Sequence, residues 1–275
     1  MFSGVGLCDL GLSWAGMRHA FFCEVDPYCR SILAKHWPGV PIYNDVTTLK
    51  GSEVPRIDIL CGGFPCQDVS LGGKRAGIKE GTRSGLWHEY ARIIGEIRPR
   101  YVIIENVRGL LSCGVEIVLR DLAALGYDAE WEVLPAAALG APHHRERVFI
   151  VAYPNGQRAD PASRLLAPLK RIMGEHQQSV RVSDWLGVRF DRARKASARE
   201  AYRGCVLRRV DDGSAERLDR PGSVGLLPRE LVPVWTQRLK ALGNGIVPQQ
   251  AYAVAACILE AEELSVPPVP YHLRA

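Results

Sequence analysis

Cys66 stands in the run Gly62-Gly63-Phe64-Pro65-Cys66-Gln67-Asp68-Val69-Ser70, directly after the apolar stretch Arg56–Cys61, which reads as a buried strand. A thiol held on a Pro-Cys-Gln loop at the carboxyl end of a strand lies where ligands meet an α/β sheet. As a thiolate it is a nucleophile. Glu105 ends the next apolar run, Tyr101–Glu105, and would face the same crevice. Alone it reads equally as a strand-end acid beside a helix-capping Asn106. The run His143-His144-Arg145-Glu146-Arg147 precedes the apolar stretch Val148–Tyr153. If the backbone there is extended, Arg145 and Arg147 point to one side, as a clamp on an anion or as a surface ion pair. The two histidines have no cysteine or further histidine at metal-ligand spacing, so no metal site is expected. Covalent catalysis by Cys66, assisted by a carboxyl group, is the chemistry these types allow.

A second group of residues suits a cofactor. Phe2-Ser3-Gly4-Val5-Gly6 precedes a helical stretch, and Gly4 and Gly6 would let the backbone approach a ligand closely. Glu24 follows the next strand, where an acid accepts hydrogen bonds from ribose hydroxyls. Asp45 follows a third apolar segment and could accept from an adenine amino group. Gly243-Asn244-Gly245-Ile246-Val247-Pro248 reads as a tight turn feeding a helix with proline at its first position.

The elements that must hold these groups alternate in type. Strands are expected at Ala20–Val25, Arg56–Cys61, Tyr101–Glu105, Asp128–Pro135 and Val148–Tyr153. Helices are expected from about Leu7 to Gly16, at Pro27–Trp37 with Asp26 as N-cap, and at Leu86–Ile97. Two more are expected, at Glu116–Leu125 closed by Gly126 and at Pro248–Glu263. This order implies an α/β fold with a mostly parallel sheet covered on both faces. After Asn155 apolar periodicity weakens while Gly, Pro, Ser and Arg rise, as in a small, irregular second domain.

The 275-residue chain is 47% hydrophobic and 24% charged, with a net charge of +5. That is an ordinary globular balance, neither disordered nor membrane-embedded. No apolar stretch is long enough to cross a bilayer, and no secretory leader is read at Met1-Phe2-Ser3-Gly4, so a cytoplasmic protein is expected. Eight cysteines include no Cys-x-x-Cys pair, which fits reduced core thiols with Cys66 the exception. Residues 1–154 carry 16 basic and 17 acidic side chains, whereas residues 155–240 carry 18 and 10, a net +8. A polyanion would be drawn to that segment.

Taken in order, FSGVG (2–6), Glu24, Asp45, GGFPCQDVS (62–70), TRSGLW (82–87), ENV (105–107), HHRERVFI (143–150) and GNGIVPQ (243–249) resemble the DNA cytosine-5 methyltransferases, compact bacterial and phage enzymes in particular. The resemblance implies a Rossmann-like, S-adenosylmethionine-dependent catalytic domain at 1–154. It implies a target-recognition domain at 155–240 that grips double-stranded DNA, and a C-terminal part at 241–275 whose helix returns to the catalytic domain. By the same resemblance Cys66 is the nucleophile, Glu105 the acid that holds the base, Arg147 the active-site arginine and Arg145 its helper. Phe2, Gly4, Gly6, Glu24, Asp45, Pro65, Leu86 and Asn244 become the cofactor contacts. A monomer is expected, either solitary or paired with a restriction endonuclease. Two other readings stay open: a tRNA cytosine-5 methyltransferase on the same scaffold, and an inactive DNA-binding relative. Relatives have several strand residues before the position of Phe2, so the central strand is expected to be cut short here and cofactor binding weakened.

Overall fold

A computed structural model describes residues 1–65, 85–141, 143–156, 164–175, 237, 241 and 245–268. Cys66, Asn244 and nearly all of the expected recognition domain lie outside the described residues. The described elements run α1 (Leu7–Trp14), β1 (Phe22–Cys23), α2 (Pro27–His36), β2 (Ile42–Tyr43), β3 (Ile59–Gly62), α3 (Leu86–Ile97) and β4 (Tyr101–Val107). They continue with α4 (Leu110–Cys113), α5 (Val115–Ala124), β5 (Tyr127–Pro135), β6 (Glu146–Pro154), α6 (Pro168–Glu175) and α7 (Pro248–Ala261).

The α/β class is as expected, but the expected mostly parallel sheet is mixed. β1 pairs with β2 in parallel, and a second sheet has the order β3-β4-β6-β5. Within it β3 and β4 are parallel, whereas β6 runs antiparallel to both β4 and β5. The physical reason is the connection between β5 and β6. It is a short loop with a single 3-10 turn at Ala136–Leu139, too short for a parallel crossover, so β6 folds back beside β5.

β4 is apolar without a break from Tyr101 to Ile104 because both faces of the sheet are covered. Val102, Ile104, Val148 and Ile150 face α3 and α5, against Ile93, Ile94, Val118 and Leu122. Tyr101, Ile103, Phe149 and Val151 face α1 and α7, against Leu12, Val254 and Ile258. The period of two sorts one strand into two cores.

Local signals explain the helix limits. Asp26 caps α2 by accepting from the backbone N–H of Tyr28 at 2.8 Å, with Pro27 next in the chain. α3 buries Trp87, Tyr90, Ile93 and Ile94, a helical stripe, and ends on Arg98 in the left-handed region. α5 ends just before Gly126, whose φ of 80° only glycine adopts cheaply. Gly11 lets α7 approach α1, since a side chain there would strike the Pro248 carbonyl.

Candidate active site

β3 and β4 lie side by side, and β3 ends at Gly62 opposite Ile104 while β4 runs on, so Gly63-Phe64-Pro65 leaves the sheet next to Glu105-Asn106-Val107. The turn that leads to Cys66 is fastened at Phe64. Its ring is buried 5.5 Å from that of Trp87, and its carbonyl accepts from the Asn106 side-chain amide at 3.1 Å. The Asn106 side-chain oxygen accepts in turn from the N–H of Val107 at 2.9 Å. Asn106 therefore latches the turn rather than capping a helix. Gly63 passes so close to Glu105 that a Cβ would lie 2.5 Å from its Oε2. Only glycine leaves room there for the carboxyl group.

The ladder explains why Glu105 meets Arg147. Val107 pairs with Arg147 and Glu105 with Phe149, so the two charged side chains are diagonal neighbours on one face. Arg147 Nε lies 3.0 Å from Glu105 Oε1, and the side chains are 14% and 17% exposed. Burial pushes the Glu105 carboxyl up to about 7, and the charges of Arg147 and Arg145 restrain the rise. A carboxyl group that is half-protonated near neutrality can either donate or accept a hydrogen bond.

Arg145 departs from the extended geometry on which its expected direction rested. Its φ is 32°, and its guanidinium donates to the Gly245 carbonyl, from Nε at 2.9 Å. It still bears on Glu105 through its charge. Gln250 completes this joint. Fully buried on α7, it donates from Nε2 to the carbonyls of Leu134 and Arg145 at 2.5 and 3.2 Å. Its Oε1 accepts from the N–H of Val247 at 3.3 Å. Gln249 beside it is of the same type, so the sequence alone does not single Gln250 out.

The second group gathers at the ends of β1 and β2. Glu24 follows β1, and its carboxylate accepts from the N–H of Gly4 at 2.7 Å and of Asp26 at 2.8 Å. Asp45 leaves β2 and accepts from the N–H of Thr47 at 2.9 Å. Phe2 rests edge-on against Tyr90, ring centroids 6.0 Å apart. Leu86 opens α3 and packs, like Phe2, on the core below. Gly4 has a φ of 54° and open space where a side chain would be. Gly6 differs. A Cβ there would strike Trp37 at 2.5 Å, and its N–H donates to the Ser3 carbonyl at 2.9 Å, so Gly6 serves the packing of α1 on α2.

A model for C-5 cytosine-specific DNA methylases matches residues 1–205. The chain belongs to this family. Type II methyltransferase M2.BsuMI of Bacillus subtilis (strain 168) is 36% identical over 160 residues, which cover 55% of this chain and 40% of that protein. The chain thus spans less than half the length of this relative. Type II methyltransferase M.NlaX of Neisseria lactamica is 28% identical over 265 residues, 87% of this chain and 83% of that one. The crystal structure of the S. pombe Dnmt2 methyltransferase superposes over 96% of this chain and 98% of its own, with a TM-score of 0.62 and 15% identity, a likeness of fold.

Membership in the methylase family implies an S-adenosylmethionine cofactor, and the turn at residues 2–6 fits one. Ser3 Oγ is buried without a hydrogen-bond partner, the kind of group a ligand satisfies. Beside it, Gly4 borders open space and the Glu24 carboxylate is held in place by two backbone N–H groups. Among the described residues no cluster of His, Cys, Asp and Glu could hold a metal ion. No described helix is long and apolar enough to cross a membrane. Of the other cysteines, Cys23, Cys29 and Cys257 are buried core residues, and Cys8 and Cys61 bring their sulfurs to 3.3 Å under the turn.

Proposed function

We propose that this chain is a DNA cytosine-5 methyltransferase that methylates a cytosine flipped out of duplex DNA. The observation that carries the reading is the Glu105–Arg147 pair, 3.0 Å apart, beside the turn that leads to Cys66. Cytosine C5 is a poor nucleophile. The Cys66 thiolate adds to C6 and moves electron density to C5. Glu105, carrying its proton, donates to the ring nitrogen N3 and stabilises the charge that develops on the ring. Arg147 orients Glu105 and keeps its carboxyl from rising still further, so that both proton states are within reach near neutral pH. Bound S-adenosylmethionine would supply the methyl group that C5 takes up; loss of the C5 proton to solvent then restores the C5–C6 double bond and breaks the bond from C6 to Cys66, which leaves as the thiolate. Ser3, Glu24 and Asp45 would hold the cofactor, with Phe2, Gly4, Pro65, Leu86 and Asn244 around it. The target base must leave the helical stack to reach Cys66. Residues 155–240, with 18 basic side chains against 10 acidic ones, are the segment to grip the phosphates. The type II names of its relatives support a role beside a restriction endonuclease.

The test is transfer of label from methyl-labelled S-adenosylmethionine to duplex DNA and, separately, to tRNA, with Cys66→Ala alongside. Label in DNA that is lost in the variant is the expected result. Label only in tRNA, or label in DNA that survives Cys66→Ala, refutes the reading.

A further inference from the structure

The loop between β5 and β6 and the start of α7 meet around one fully buried side chain, Gln250. Its amide works in two directions. Oε1 turns back to the N–H of Val247 at 3.3 Å, which caps the helix that Gln250 itself belongs to. Nε2 leaves the helix and donates to the carbonyls of Leu134, near the end of β5, and of Arg145, just ahead of β6. A carboxylate could do the first job. The second needs two N–H groups on one side chain, which a carboxylate or an apolar residue does not supply.

Arg145 requires such a hold. Its φ of 32° lies where a residue with a Cβ is rarely found unless its surroundings impose it. Its charge is also unwelcome there. Burial and then Arg147 push the Arg145 pKa down, while Glu105 favours the charged form. Were the backbone to relax to an extended strand, the ladder that pairs Glu105 with Phe149 and Val107 with Arg147 would bring Arg145 opposite Gly109. That is four positions, about 13 Å, along the strand from the level of Glu105. The guanidinium would withdraw from Glu105 and give up the Gly245 carbonyl.

Gly245 connects this hold to the other group of residues. Arg145 donates to its carbonyl from Nε at 2.9 Å and from Nη2 as well. On its other side Gly245 lies so close to α1 that a Cβ would strike Leu7 Cδ1. α1 follows directly on the turn at residues 2–6, and Asn244 is next in the chain to Gly245.

We propose that Gln250 is a positioning residue of the candidate site: by holding the Arg145 carbonyl it sets where that guanidinium stands relative to Glu105 and to the turn at Gly245. One guanidinium serves both, so Gln250 links the carboxyl group that handles the proton to the turn expected to carry the cofactor. The inference rests on the proposed function for what those two groups do.

The experiment compares the full chain with Gln250→Met, the nearest apolar shape, and with Gln250→Asn, whose amide is one methylene shorter. Tyr101→Phe is the control, since it frees the same helix at its other end, where Tyr101 donates to Glu262. Two quantities are read: the pH midpoint of the Glu105 carboxyl, by carbon NMR of glutamate-labelled protein with Glu105→Gln to assign the signal, and the Kd of S-adenosylmethionine. Arg147 and Arg145 face Glu105 from β6 and the loop before it. The Cys8 thiol faces it from α1, and contact with Cys61 and burial keep that thiol protonated. Because the charge of Arg145 holds the carboxyl down, Gln250→Met should raise the midpoint from about 7 by about half a pH unit or more, and weaken cofactor binding several-fold. Gln250→Asn should do the same to a smaller extent, and it decides the matter if Gln250→Met does not fold. Adding either change to Arg145→Met should raise the midpoint no further. Tyr101→Phe should lower Tm and move neither quantity. An unchanged midpoint or Kd in the folded Gln250 variant, an equal shift in Tyr101→Phe, or a further rise on top of Arg145→Met overturns the proposal. Neither readout depends on methyl transfer, so shifts as expected in a chain that transfers no methyl group would sink the proposed function alone.

Discussion

β4 pairs with β6 over six residues and β5 with β6 over nine, whereas β1 and β2 pair over two. Glu105 and Arg147 sit on the long half, Glu24 and Asp45 on the short one. On the long half a ladder fixes position: shifting β6 by one residue against β4 would turn Arg147 away from Glu105. On the short half position depends on single hydrogen bonds, such as those from Gly4 and Asp26 to Glu24. Damage to the first half should appear in turnover and global stability, damage to the second in cofactor affinity.

The largest test is the charge of Glu105. Glu105→Gln keeps the shape but fixes one proton state, so turnover should fall about 100-fold or more while cofactor Kd changes less than twofold. A tenfold loss of cofactor affinity would break the division between the halves. Stability gives a second readout. The folded pKa of about 7 lies above the ordinary 4.5, so the folded state holds this proton more tightly than the unfolded one. Its contribution is fully present below pH about 4.5 and is lost as pH rises to about 7, a change of about 3 kcal/mol. In chemical denaturation from pH 4.5 to 8, the difference between wild type and Glu105→Gln should trace this fall.

Gly63→Ala comes next. The new methyl group meets Glu105 Oε2, and relieving the overlap must move either the carboxyl group or the turn. Loss of about 2 kcal/mol of stability is expected together with loss of turnover. An unchanged melting temperature would show that the turn yields freely, contrary to its double fastening at Phe64.

Much of this was legible in the sequence, and the remainder fails for definite reasons. Helix limits at Pro27 and Leu86–Ile97 follow from a cap, a proline and an apolar stripe, all local. The sheet's mixed direction is not local, because an apolar run reads the same whichever way its neighbour points. Glu105 and Arg147 were legible as types; their diagonal contact needed the register. At Gly6 the sequence hid a second demand, since a Cβ there would strike Trp37, a contact that only the fold brings about. Asn106 and Gln250 were hidden because a buried amide is recognised only through the carbonyls it meets.

On the short half Glu24→Ala should weaken cofactor binding roughly tenfold, through lost acceptor oxygens, and leave the melting temperature within a degree or two. Equilibrium titration against a thermal melt separates the two effects. A large fall in Tm with unchanged affinity would instead make Glu24 a brace for the turn at Gly4.

The smallest effect divides the two jobs of Asp26. Its side chain caps α2 through Tyr28 and Cys29, while its own N–H donates to Glu24 Oε1. Asp26→Ala removes the cap and keeps the N–H, so it should cost about 1 kcal/mol of stability and little cofactor affinity. Asp26→Pro removes both, and the backbone φ of −74° at this position already suits proline. If single hydrogen bonds position the short half, the proline variant should bind cofactor several-fold more weakly than the alanine variant at similar stability. Equal affinities in the two variants would mean that the bond from Gly4 alone orients Glu24.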